Sequence, residues 1–86
     1  MDKGVLKRVL TGLADKNIRF IDIRNLITGM GFKERIKGDH HIFFKEGITE
    51  IINIQPLQDG KAKAYQVKQI RNLIIKYKLH QEDQNV

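Results

Sequence analysis

Two adjacent histidines are the residues of this sequence best suited to chemistry. His40 and His41 follow Gly38-Asp39, a turn signal, and lead into the apolar run "IFF". Histidine suits general acid–base catalysis because its unperturbed pKa, about 6.5, lies near neutral pH. Beside cations that bind phosphate, it can cleave RNA without a metal, by taking the 2′-hydroxyl proton or protonating the leaving 5′-oxygen. The alternative is a structural or merely polar role at the start of a strand.

Metal and thiol chemistry are not expected. Adjacent residues of a strand point to opposite faces, so His40 and His41 cannot chelate one ion together. The chain has no cysteine, which excludes disulfides and zinc–thiolate sites. It also has no phosphate-binding glycine loop, no G-x-S-x-G elbow and no H-E-x-x-H. We therefore expect no metal and no cofactor.

The charge of the chain favours a polyanionic partner. The 86 residues carry 16 Lys and Arg against 10 Asp and Glu, a formal net charge of +6. Residues 60–79 contain cations and no acid, which suits nucleic acid, an acidic partner or an ordinary solvated face. The N-terminus is too charged for a secretory signal, and no apolar run approaches the ~20 residues of a membrane span. We expect a cytoplasmic protein without membrane contact.

Hydrophobic periodicity predicts three helices around three strands. Apolar residues recur at helical spacing over residues 3–13, in a stripe from Ile23 to Met30, and over 64–77. Short turns separate strands at 32–37, 40–45 and 50–55, which predicts an antiparallel meander. The order α-α-β-β-β-α indicates an α+β fold with the helices on one face of the sheet. We expect a single domain over 1–86, with a helical extension (1–17), a core (18–79) and a flexible tail (80–86).

Alternation along the strands assigns side chains to the two faces of the sheet. Lys33, Arg35 and Lys37 share one face, which we predict to be open to solvent. On the second strand we predict that Ile42 and Phe44 point inward with His40, and that His41 and Phe43 point outward. A bulge near Gly38 would exchange the two histidines. On this prediction, His41 lies beside the three cations.

The segment from Ile18 to Leu79 resembles the HicA family of toxins, the ribonuclease half of bacterial and archaeal HicA–HicB toxin–antitoxin pairs. The resemblance lies in "GFKERIKGDHHIFF", "EIINIQP" and "GKAKAYQVKQIRNLIIKYKL". The family pattern is a glycine, usually a serine, then one or two histidines leading into an apolar strand. Here it is Gly38-Asp39-His40-His41-Ile42-Phe43. The first helix looks like the extension of the longer members.

The resemblance implies a fold like a double-stranded-RNA-binding domain, translation-blocking cleavage of mRNA, and neutralisation by a HicB-like antitoxin. The family's catalytic histidine matches His41, with His40 and Asp39 in supporting positions. Asp39 replaces the usual serine, and its carboxylate would either repel the scissile phosphate or orient His41. Domains of this fold contact phosphates and 2′-hydroxyls, and the candidates for such contacts are Lys33, Arg35, Lys37, Lys61 and Lys63. Two alternatives stay open: a non-catalytic RNA-binding module and a protein-interaction domain for an acidic partner.

Overall fold

The computed structural model describes residues 1–84 of the chain, and the side chains of residues 1–81. The predicted α+β class and element order are confirmed. A short 3-10 helix, Leu79–Gln84, occupies much of the segment predicted to be a flexible tail, whose last two residues lie outside the described residues. The main elements are α1 (Lys3–Thr11), α2 (Phe20–Gly29), β1 (Lys33–Lys37), β2 (His40–Phe44), β3 (Ile52–Ile54) and α3 (Ala64–Tyr77).

Helix α1 is shorter than its apolar pattern predicted. The Asp2 carboxylate caps its start by accepting from the backbone N–H groups of Gly4 and Val5, at 2.9 and 3.1 Å. The helix ends at Thr11 because Gly12 adopts the left-handed conformation, with a φ of 73°. Leu13, which the pattern placed in the helix, is therefore 91% exposed.

Helix α2 carries the side chains that reach the candidate site. Its buried residues, from Phe20 to Ile27, pack into the common core. Gly31, predicted just beyond the helix end, has a φ of 94° there and turns the chain towards β1. Phe20 and Arg24 are one helical turn apart, so their side chains lie on the same side of α2.

The sheet is antiparallel, with β2 between β1 and β3. Lys37 pairs with His40 across the two-residue turn Gly38-Asp39, and Gly38 has the positive φ, 62°, that such a turn requires at its first position.

Residues that pair across antiparallel strands point to the same face. The register therefore defines an inner face, towards the helices, of Glu34, Ile36, His41, Phe43, Ile52 and Ile54. It also defines an open face of Lys33, Arg35, Lys37, His40, Ile42, Phe44 and Asn53.

The predicted facing of β2 is wrong. Phe43 is fully buried in the core, whereas Phe44 is 41% exposed. His41 lies on the inner face and His40 on the open face. No bulge is needed for the exchange: the two-residue turn pairs Lys37 with His40, so both must share a face. The facing predicted for β1 is confirmed.

One hydrophobic core joins the helices to the inner face of the sheet. Phe43, Ile52 and Ile54 meet Val9 of α1, the α2 stripe, and Val67, Ile70 and Ile74 of α3. The helix layer leaves one corner of the inner face uncovered. Ile36 lies at this corner and is 56% exposed. Within the described residues, no helix is long and apolar enough to cross a membrane.

Candidate active site

His41 is held by a carboxylate from the neighbouring strand. Its Nδ1 lies 2.7 Å from Oε2 of Glu34, and the two side chains are 18% and 10% exposed. Glu34 pairs with Phe43, two residues along β2 from His41, so it is a diagonal neighbour of the histidine on the inner face. Diagonal positions are within reach of long side chains. An ionised carboxylate only accepts hydrogen bonds, so Nδ1 of His41 carries the proton that Glu34 accepts.

Arg24 fixes the charge of Glu34. Its Nε donates to both carboxylate oxygens, at 2.8 and 2.9 Å, and its Nη2 lies 2.6 Å from Oε1. The hydrogen bond from Arg24 is the main cause that lowers the pKa of Glu34; burial opposes it, and the hydrogen bond with His41 lowers the pKa further. Glu34 is therefore ionised near neutral pH and remains an acceptor for His41.

Phe20 packs against the imidazole ring. The two ring centroids are 4.8 Å apart, at an interplanar angle of 63°, which is an edge-to-face contact. Such aromatic pairs contribute about 0.5–1.5 kcal/mol beyond their buried area. Since Phe20 and Arg24 lie one turn apart on α2, a single helix face restrains both the ring of His41 and its carboxylate partner.

The result is a histidine with one nitrogen anchored and the other available. No described residue forms a hydrogen bond with Nε2 of His41. With Nδ1 protonated, a neutral imidazole has an acceptor at Nε2, which can take a proton, and the carboxylate stabilises the imidazolium that forms. Glu34 and His41 therefore have the arrangement of a general base and the group that orients it.

Comparison with known proteins identifies no relative of this chain. The chain matches no protein-family model, no curated protein and no solved structure.

His40 has a different environment from His41. On the open face, its Nδ1 lies 3.0 Å from Oδ1 of Asn53, and its Nε2 lies 3.2 Å from the side-chain nitrogen of Gln55. Both ring nitrogens are thus engaged by amide groups. Gln55 also accepts a hydrogen bond from Lys63, at 3.1 Å. His40 is part of a polar network on the open face and does not contact the His41 site through its imidazole.

Asp39 lies beside His40 and not beside His41. Its carboxylate is 3.9 Å from Nε2 of His40 and is 72% exposed. Hydrogen bonding with Gln55 is the main cause that lowers its pKa, with smaller contributions from His40 and Lys63. The alternative in which Asp39 orients His41 is therefore wrong, because Glu34 has that position.

The predicted phosphate contacts do not form one cluster around His41. Lys33, Arg35 and Lys37 are on the open face, so the sheet separates them from the histidine. Lys63 belongs to the Gln55 network. Lys61 lies elsewhere: its Nζ donates to Asn17 at 3.2 Å, and its backbone pairs with Arg19, the residue before Phe20.

Sequence reasoning missed three residues of the site: Glu34, Arg24 and Phe20. The signal for Glu34 was present in the two-residue turn, which fixes the pairing of Lys37 with His40 and so brings Glu34 and His41 to one face. The contacts of Arg24 and Phe20 depend on how α2 packs on the sheet, which the spacing of apolar residues does not specify. Among the described residues, no group of three or more metal-ligating side chains could hold an ion.

Proposed function

We propose that this protein is a metal-independent endoribonuclease that cleaves mRNA, with His41 as its general acid or base. The observation that carries the proposal is the 2.7 Å contact between Nδ1 of His41 and the Glu34 carboxylate, which leaves Nε2 available for proton transfer. His40 is the weaker candidate because amide groups engage both of its nitrogens.

His41 supplies one of the two proton transfers that the reaction needs, and water supplies the other. The 2′-hydroxyl attacks the adjacent phosphorus as Nε2 of His41 takes its proton, and the bond to the 5′-oxygen breaks as water protonates that oxygen, which leaves a 2′,3′-cyclic phosphate. In the alternative assignment, a protonated His41 gives its Nε2 proton to the leaving 5′-oxygen, and water takes the proton of the 2′-hydroxyl. The Glu34 carboxylate stabilises the charged imidazole in either case, and Arg24 keeps Glu34 ionised.

We further propose that the protein acts as the toxin of a HicA–HicB pair, in the cytoplasm, with a HicB-like antitoxin as its partner. The resemblance of residues 18–79 to that family supports this, as does the order of three helices and an antiparallel three-stranded sheet among the described elements. That order also supports a fold like a double-stranded-RNA-binding domain. A small neighbouring gene encoding a HicB-like protein is expected.

Cleavage of an mRNA in excess EDTA tests the enzyme proposal. We expect wild-type protein to cleave, His41→Ala to lose about 10²- to 10⁴-fold in rate, and His40→Ala to retain most activity. His40 is the matched control because it is also a histidine but lies on the opposite face of the sheet. If folded His41→Ala cleaves like wild type, His41 is not the catalyst; if EDTA abolishes cleavage, the metal-free reaction is wrong.

A non-catalytic RNA-binding module is the second candidate. It is favoured by the position of Lys33, Arg35 and Lys37, which lie on the face opposite His41 and make no ion pair with a described residue. This candidate predicts tight, salt-sensitive binding of RNA with no product at any protein concentration.

A further inference from the structure

The open face of the sheet has the composition of a nucleic-acid surface. Its cations, Lys33, Arg35 and Lys37, alternate along the edge strand β1 and are exposed. The register places Lys33 opposite Phe44 and Arg35 opposite Ile42. The only acid within the three strands is Glu34, which is on the inner face. On this face, therefore, no carboxylate of the three strands repels a polyanion.

Phe44 gives the open face an aromatic side chain at the surface. It is 41% exposed, although its neighbour Phe43 is fully buried. Phe44 and Lys33 also line a groove together with Gly31, Lys45 and Glu46. An exposed ring beside cations on an open sheet can stack on an unpaired base while the cations contact the flanking phosphates. A duplex does not offer this contact because its bases are already paired and stacked.

We propose that the open face is a binding platform for single-stranded RNA, in which Phe44 stacks on a base and Lys33, Arg35 and Lys37 contact phosphates. The platform is distinct from the His41 site, on the other face of the sheet. Because β1 is an edge strand and its inner-face residue Ile36, which pairs with His41, is 56% exposed, a bound RNA strand can pass around this edge towards His41. This second step, holding RNA for cleavage, rests on the proposed function; the binding itself does not.

Binding of a short unstructured RNA to the His41→Ala protein, followed by fluorescence anisotropy, tests the platform without cleavage. We expect Phe44→Ala to weaken binding about tenfold, the equivalent of one lost stacked base, and Phe44→Leu to give a partial loss. Tyr65→Ala is the matched control, since Tyr65 is an aromatic residue of α3 that is 59% exposed. Affinity for duplex RNA should change less than twofold in every variant.

The salt dependence of the same binding tests the phosphate contacts. Replacing Lys33, Arg35 and Lys37 together by alanine should reduce the slope of log affinity against log salt by about 2, since each single-strand contact contributes about 0.7. Lys68→Ala, which removes one exposed cation from α3, should leave the slope near that of wild type. An open face that binds an acidic protein instead would show unchanged RNA affinity in Phe44→Ala, and that result overturns the proposal.

Steady-state cleavage separates the platform from the catalytic proposal. In the protein with His41 intact, Phe44→Ala should raise KM and leave kcat within about twofold, because Phe44 is not at the reacting atoms. If neither protein cleaves RNA, the enzyme proposal fails and the anisotropy measurements still decide the platform. Thermal melting of Phe44→Ala, whose truncated side chain is partly exposed, checks that a weakened affinity does not reflect unfolding.

Discussion

Glu34 of β1 and His41 of β2 are joined side chain to side chain, at 2.7 Å, on the face of the sheet that the helices cover. The contact joins the edge strand to the central strand, and Arg24 of α2 donates a hydrogen bond to the same carboxylate. Three elements thus fix the orientation of one imidazole. A polar group with so few degrees of freedom suits a reaction that needs Nε2 at a defined position.

Glu34→Gln is expected to lower kcat by about 100-fold or more without unfolding the protein. The amide keeps the shape of the side chain but can donate to Nδ1 as well as accept from it, so the histidine no longer has one enforced tautomer. Nitrogen NMR of the His41 ring checks the cause directly. In the neutral form of the ring, wild type should show the proton on Nδ1 and none on Nε2, and Glu34→Gln should show a mixture of the two tautomers.

Glu46→Gln is the control for this change, because it makes the same substitution at an exposed turn position outside the His41 site. Its kcat and ring spectra should match those of wild type. Equal activity in Glu34→Gln would show that the carboxylate does not orient a catalytic group.

Asp39→Ser is expected to strengthen RNA binding about two- to fivefold at low salt and to leave kcat unchanged. The carboxylate is 72% exposed at the end of the open face and contacts His40, so its loss removes repulsion without touching His41. Anisotropy with wild type, Asp39→Ser and Asp39→Asn at two salt concentrations measures this. The gain should be the same for both variants and should fade at high salt; a gain that persists there contradicts a charge effect.

The helices could be predicted from the sequence because their apolar stripes are periodic. The bounds of α3, Ala64–Tyr77, follow from Val67, Ile70 and Ile74, which the structure buries. Strand β2 lacks such a signal: Ile42, Phe43 and Phe44 are all apolar, so alternation cannot tell which face is buried. The turn length decides, since it ties His40 to Lys37.

The contacts that Arg24 and Phe20 make in the His41 site required information that no local pattern contains. Arg24 and Glu34 are on a helix and a strand, and their contact depends on the angle at which α2 crosses the sheet. The prediction that three cations of β1 share the open face is correct. The prediction that they lie beside His41 is wrong, because His41 lies on the inner face of β2. Because neighbouring residues of a strand point to opposite faces, reversing the faces of β2 placed His41 on the wrong side of the sheet.

Gly12→Ala and Gly29→Ala should change stability in opposite directions. Gly12 has a φ of 73°, and a Cβ there would lie 3.2 Å from Nη1 of Arg71, which donates to the carbonyl of Val9 and to Asp15. We expect a loss of about 1–2 kcal/mol in the free energy of unfolding. Gly29 ends α2 and would place a Cβ in ordinary contact with Met1, so alanine should gain up to about 0.5–1 kcal/mol. Urea unfolding measures both, and a stabilised Gly12→Ala would contradict the strain argument.

Glu50 should make the protein sensitive to acid. Lys76 donates to its carboxylate at 2.7 Å and Tyr77 at 2.5 Å, and these two hydrogen bonds lower the pKa of Glu50 from 4.5 to about 2. A carboxylate whose pKa is lower in the folded protein stabilises it above the unfolded value, and this contribution is lost as the pH falls. We expect Glu50→Gln to be less stable than wild type near neutral pH, and the difference to shrink between pH 4.5 and 2. Urea unfolding across this range measures it, with Glu46→Gln as the control. A difference that stays constant with pH would show that the ionised carboxylate is not the stabilising group.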